Sequence, residues 1–122
     1  MQNYNSKFKI DLKTRCYKFS LNLISFIDSV KTSNSSKIIS NQLVRSGTSI
    51  GANLVEASAS SSRLEFKKFN EIALKSANES KYWLGLLRDS RFASREKVNS
   101  LLNEVTEISK MIASGIIKLK SK

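Results

Sequence analysis

The fold this sequence predicts is all-α, an antiparallel up-down-up-down four-helix bundle, and three observations predict it. Apolar residues recur at three- and four-residue steps in four successive segments of about 25 residues, the signature of helices with one buried stripe. Phrases rich in serine and asparagine separate the segments, and none of the segments alternates with a period of two. Proline is absent from the whole chain, so nothing interrupts long helices. Short connections make consecutive helices antiparallel neighbours. The length of 122 residues suits one domain, spanning 1–122.

The first helix is expected from about Ser6 to Thr32. Phe8, Leu12, Cys16, Phe19, Leu23, Phe26 and Val30 form its stripe, widened by Ile24 and Ile27. The run TSNSS, residues 32–36, favours a turn, and Ser35 or Ser36 is expected to cap the second helix. Its apolar positions are Ile38, Ile39, Leu43, Ile50, Leu54 and Ala57, and SASSS, residues 58–62, is the connection after it. Ser62 caps the third helix, with Glu65 placed to complete a capping box. That helix runs to about Asp89 and carries Phe66, Phe69, Ala73, Ser76, Ser80, Trp83 and Leu87 on one face. DSRFAS, residues 89–94, turns the chain. Ser94 caps the fourth helix, with Glu96 near the positive end of its dipole. Val98, Leu101, Val105, Ile108, Ile112 and Leu119 make the last stripe, which frays near Lys120.

The segment QLVRSGTSIGANLVEA, residues 42–57, is crowded with small side chains. Gly47 and Gly51 lie four apart and share a helix face. Each costs a helix about 1 kcal/mol relative to alanine, so their presence implies close approach of a neighbouring backbone. The third helix is small in its middle too, at Ala73, Ser76, Ala77 and Ser80. The two middles are expected to face each other or another subunit, with Gly47 and Ala52 tightly packed. Arg45, Ser49, Asn53, Glu56, Glu79 and Trp83 lie in or beside these faces. Arg45 is expected to meet Glu71 or Glu79, and Asn53 to bond a neighbouring backbone. Such buried polar groups must be paired. They serve either a ligand pocket or packing and subunit register, and the second reading fits better. Trp83 suits an interface or the core equally. Cys16, between Leu12 and Phe19 on the apolar stripe, reads as a buried, inert thiol.

Histidine is absent. Histidine-based acid–base chemistry, histidine haem ligation and zinc sites needing histidine are therefore ruled out. The carboxylates do not cluster, and no phosphate-binding glycine loop or metal-ligand spacing occurs. Neither catalysis nor a cofactor is expected. One cysteine allows no disulfide within the chain and indicates a reducing compartment. The first residues, MQNYNSKFKIDLK, do not read as a secretory signal, and no apolar run is long enough for a membrane span. A cytoplasmic location without membrane contact is expected.

The formal net charge is +11, which points to polyanionic partners. Lys7, Lys9, Lys13, Arg15 and Lys18 are set against Asp11 alone. Residues 108–122 hold Lys110, Lys118, Lys120 and Lys122 and no acid, and Arg63, Lys67 and Lys68 neighbour Glu56 and Glu65. An up-down bundle gathers these three segments at one end, making a basic pole suited to phosphate backbones with little sequence preference. The plainer reading is a solvated basic surface. No RNP motif or zinc knuckle accompanies it.

Arg45, Ser49, Ile50, Ala52, Asn53 and Glu56, together with Ser62, Glu65, Phe66, Phe69, Ile72 and Ala73, carry a resemblance. Over about residues 6 to 120 the chain resembles a bacterial four-helix-bundle family. Its members include proteins encoded by intervening sequences of large-subunit (23S) ribosomal RNA genes. Gly51 stands where that family has proline, and Ala57-Ser58 where it has a glycine-led turn. The second departure lets the second helix run slightly longer. The resemblance implies an antiparallel bundle assembled as a homopentamer, without enzyme activity. The chain is also similar to an accessory protein of diversity-generating retroelements, which works with a reverse transcriptase and RNA. The expected protein is a non-catalytic, self-associating bundle that contacts RNA or DNA, alone or beside a nucleic-acid enzyme. The alternative is a scaffold that binds another protein.

Overall fold

The computed structural model describes the backbone of residues 4–120 and the side chains of residues 12–119. Four helices succeed one another: α1 (Tyr4–Ile27), α2 (Asn34–Ser58), α3 (Arg63–Asp89) and α4 (Arg95–Lys120). Each packs on its two neighbours around a square, α2 with α3 most closely and α1 with α4 least. This is the all-α up-down bundle the periodicity predicts. Its core is continuous: Phe19, Leu23, Leu43, Ile50, Leu84, Leu87, Val105 and Ile108 are at most 1% exposed.

The ends of the helices show where local chemistry prevailed over pattern. The first helix stops five residues before the expected Thr32. Ser29 satisfies the Phe26 carbonyl twice, from its amide at 2.9 Å and its hydroxyl at 2.6 Å, and Val30 N–H donates to Ile27 O at 3.1 Å. These three-residue steps close the helix. Lys31 N–H then donates to Phe92 O at 2.8 Å, joining the α1–α2 turn to the α3–α4 turn at one end of the bundle.

The second helix is capped by Ser33 rather than Ser35 or Ser36. The Ser33 hydroxyl accepts from Ser36 N–H at 3.1 Å, and Ser36 Oγ accepts from Ser33 N–H at 2.8 Å, a reciprocal box with serine in the place usually held by Glu or Gln. Ser36 is 1% exposed and its hydroxyl donates to Lys31 O at 2.7 Å. Ser33→Ala is expected to cost about 1 kcal/mol, read as a lower urea midpoint with an unchanged slope. A midpoint equal to wild type counts against the cap.

At the start of α3 only half of the expected box forms. Ser62 Oγ accepts from Glu65 N–H at 3.1 Å, and no return bond from the Glu65 side chain accompanies it. The end of α3 is a Schellman turn. Phe92 N–H reaches Leu87 O and Arg91 N–H reaches Arg88 O, both at 3.0 Å. Arg91 sits at φ 63°, the left-handed position that glycine usually takes. Leu87 and Phe92 belong to the same apolar cluster, the contact that accompanies this motif. Ser94 caps α4 as expected, accepting from Lys97 N–H at 3.3 Å.

Two stripe assignments differ from expectation. Ile24 and Ile38 point outward, 51% and 65% exposed, because helix ends and width leave room inside for fewer apolar residues than the pattern offers. Phe8 lies outside the described side chains.

Candidate interaction surfaces

The small residues of α2 divide between two neighbours. Its serines face α3: Ser46 Oγ and Ser80 Oγ lie 2.9 Å apart, and Ser76 Oγ donates to Ser49 Oγ at 3.1 Å. Its glycines face α1 instead. A Cβ at Gly51 would sit 3.3 Å from Cys16 Cβ and 3.8 Å from the Cys16 carbonyl carbon, and one at Gly47 would collide with Leu23 Cδ2. The expectation that the small middles of α2 and α3 meet therefore holds for the hydroxyls. The close approach that the glycines permit belongs to α1.

Cys16 is 1% exposed and its thiol is pushed up to about 12, chiefly by burial, with the Glu104 carboxylate adding to it. A thiol reagent at pH 8 is expected to label it only as fast as the bundle opens. Labelling at the rate of a free thiol would contradict this packing.

Of the polar residues expected in or beside the α2–α3 seam, Ser49 reaches α3 through Ser76, and Arg45 and Glu56 lie on the outer side. Arg45, Ala52 and Glu56 are exposed, and Ser49 and Asn53 are half-buried. Among the described residues the exposed Arg45 forms no ion pair with Glu71 or Glu79. Asn53 turns back on its own helix, donating to Ser49 O and Ser49 Oγ at 2.8 Å each. Glu79 accepts from Trp83 Nε1 at 2.9 Å across one turn of α3. Trp83 is half-buried, and Tyr82 packs edge-on against it with ring centres 5.2 Å apart. The outer α2–α3 face thus combines Arg45, Glu56 and Glu79 with the exposed Ile38 and Tyr82, at 65% and 63%.

The basic pole is partly dismantled. Arg15 does not face solvent as a free cation. Its guanidinium grips Glu104 at 2.8 and 3.0 Å and reaches Glu107 at 2.9 Å, bridging α1 to α4. Hydrogen bonds to Glu104 and then Glu107 hold it more firmly protonated than an ordinary arginine. Arg63 Nη2 donates to Leu119 O at 2.9 Å, capping the last carbonyls of α4. That bond also places the start of α3 beside the end of α4, as a shared basic end requires. Lys13, Lys18, Lys68, Lys110 and Lys118 are exposed, and Lys67 is half-buried. The side chains of Lys7, Lys9 and Lys120 lie outside the described residues.

Periodicity gives no sign of Glu104 and Glu107. They sit 89 and 92 residues from Arg15, and no local pattern links them. Among the described residues no group of acidic or sulfur side chains is arranged to hold a metal ion, and no helix is long and apolar enough to cross a membrane.

A family model described as 23S rRNA-intervening sequence protein matches residues 9–114. The chain is similar to a crystal structure of a protein with unknown function from the S23 ribosomal protein family of Bacteroides thetaiotaomicron. The two are 38% identical, the match covers 86% of this chain and 97% of that one, and the TM-score is 0.81. No curated protein matches.

Proposed function

The chain belongs to the 23S rRNA-intervening sequence protein family, and on that premise we propose that it is a non-catalytic bundle that assembles with copies of itself and contacts RNA or DNA through exposed lysines. The observation that carries this reading is the unbalanced surface. Ion pairs within the chain hold Arg15 and Arg88. Lys18, Lys37, Lys68, Lys75 and Lys110 stand exposed outside them. Phosphates would find mobile point charges spread over several helices, a pattern that favours backbone contact over base reading. With Arg15 and Arg63 engaged inside the chain, the contact shifts from one pole to the lysines along the bundle.

Self-assembly, into the homopentamer implied by the resemblance, has its support in the outer α2–α3 face. There Arg45 and Glu56 lack ion-pair partners within the chain among the described residues, beside exposed apolar side chains. The site of action is the cytoplasm, and a nucleic-acid enzyme is a fitting third partner.

Purified protein is expected to retard RNA or DNA on a native gel. If about four phosphates are engaged, affinity should fall by roughly two orders of magnitude between about 50 and 200 mM salt. Lys68→Glu with Lys110→Glu should weaken binding on every sequence alike. Absent or salt-insensitive binding overturns the nucleic-acid reading, and a protein partner retained after nuclease treatment would take its place.

A further inference from the structure

α1 carries two apolar stripes, and the bundle uses only one. Cys16, Phe19, Leu23 and Phe26 enter the core, while Tyr17, Leu21 and Ile24 remain 69%, 51% and 51% exposed. Steps of four and three residues set the second stripe within about 60° of arc, on the side away from the core. Lys13 lies one turn before it and Asp28 one turn after it. Both are exposed, and neither joins an ion pair among the described residues. Asp28 directly follows the last residue of α1, where the helix dipole disfavours a carboxylate, and no basic residue occupies that last turn. Its position calls for a cation from outside.

Reversing the stripe about a point between Ser20 and Leu21 brings each residue near a suitable partner: Asp28 against Lys13, Ile24 against Tyr17, and Leu21 beside its own copy. We propose that the outer faces of α1 from two copies of this chain pack antiparallel about a two-fold axis between Ser20 and Leu21. Tyr17, Leu21 and Ile24 interdigitate there, and a Lys13–Asp28 pair closes each end. A polyanion suits this surface poorly, since one end is acidic. A self-complementary face is what an isologous contact requires.

The contact rests on the self-assembly reading above and gives it a surface. It is distinct from ring closure, which joins two different faces. Even an aromatic side chain buries only about 150–250 Å². Three such residues fall short of the ~800 Å² per partner of a standard interface, so the contact is concentration-dependent and strongest where other contacts already gather copies.

Light scattering over a range of concentrations tests it. The wild-type mass should rise by doubling, and Leu21→Asp should abolish that step while the helical signal and melting temperature stay unchanged, because Leu21 is outside the core. Each ion pair occurs twice across the axis, so Lys13→Asp or Asp28→Lys alone should weaken the step roughly two- to thirtyfold. The double variant Lys13→Asp/Asp28→Lys should recover it. Leu21→Cys should cross-link to its own copy under mild oxidation, whereas Lys13→Cys should link only when mixed with Asp28→Cys. An oligomer whose mass ignores Leu21→Asp overturns this contact and leaves self-assembly standing. A wild type that is monomeric at every concentration overturns both.

Discussion

Leu23→Ala is expected to lower the unfolding free energy by about 2–5 kcal/mol. Leu23 is fully buried in the apolar cluster, and it fills the hollow that Gly47 leaves on α2. Truncation removes its transfer free energy and opens a cavity against a glycine, which has no side chain to lean in. Domains of this size are stable by about 5–15 kcal/mol, so one such change removes a large share. Urea unfolding monitored by helical circular dichroism measures it. A loss under about 1 kcal/mol would mean that α1 and α2 collapse freely onto the gap and that the close fit at Gly47 is not rigid.

Gly47→Leu should do comparable harm by the opposite route. A Cβ there already meets Leu23 Cδ2 inside van der Waals contact, with Leu23 Cγ and Phe19 Cε2 at 3.6 Å. The further branches of leucine have nowhere to go. Overpacking costs about 1–3 kcal/mol, against which the better helix propensity of leucine offsets about 1 kcal/mol at most. Combining the two changes gives the sharper test. Leu23→Ala vacates the volume that Gly47→Leu demands, so the double variant should be less destabilised than the sum of the singles. Strict additivity would show that the two sites do not share one space. Ala52→Leu serves as the contrast. The sequence suggests a tight fit at Ala52, but the residue is exposed on the outer face of α2. Its effect on the bundle should stay within about 0.5 kcal/mol, and a change in assembly mass with stability intact would place it in a subunit contact.

The number of helices and the inward stripes are legible in the sequence because a period of 3.6 residues is a local property. Phe19, Leu43, Leu87, Ile108 and Ile112 fall where their spacing puts them. The ends of α1 and α2 are less legible. Ser29, Ser33 and Ser36 all compete to cap, and the choice depends on the Lys31 amide finding Phe92 O across the bundle. The candidate site is legible as composition and hardly at all as geometry. Spacing groups Arg45, Gly47, Ala52 and Glu56 together as packed positions of α2, yet only Gly47 of these is buried within the chain.

The amino-acid order determined by itself that this chain makes four proline-free helices, each with an apolar stripe turned inward, and that it carries far more positive than negative charge. Both follow from residues considered alone or within one turn of their neighbours. Only tertiary structure decided that the glycines open toward α1 and the serines toward α3, that Arg15 is held by Glu104 and Glu107, and that Tyr17, Leu21 and Ile24 are left outside. The reason is geometric. Periodicity tells a helix which side turns inward, but which neighbour stands against each part of that side is set by helices far apart along the chain.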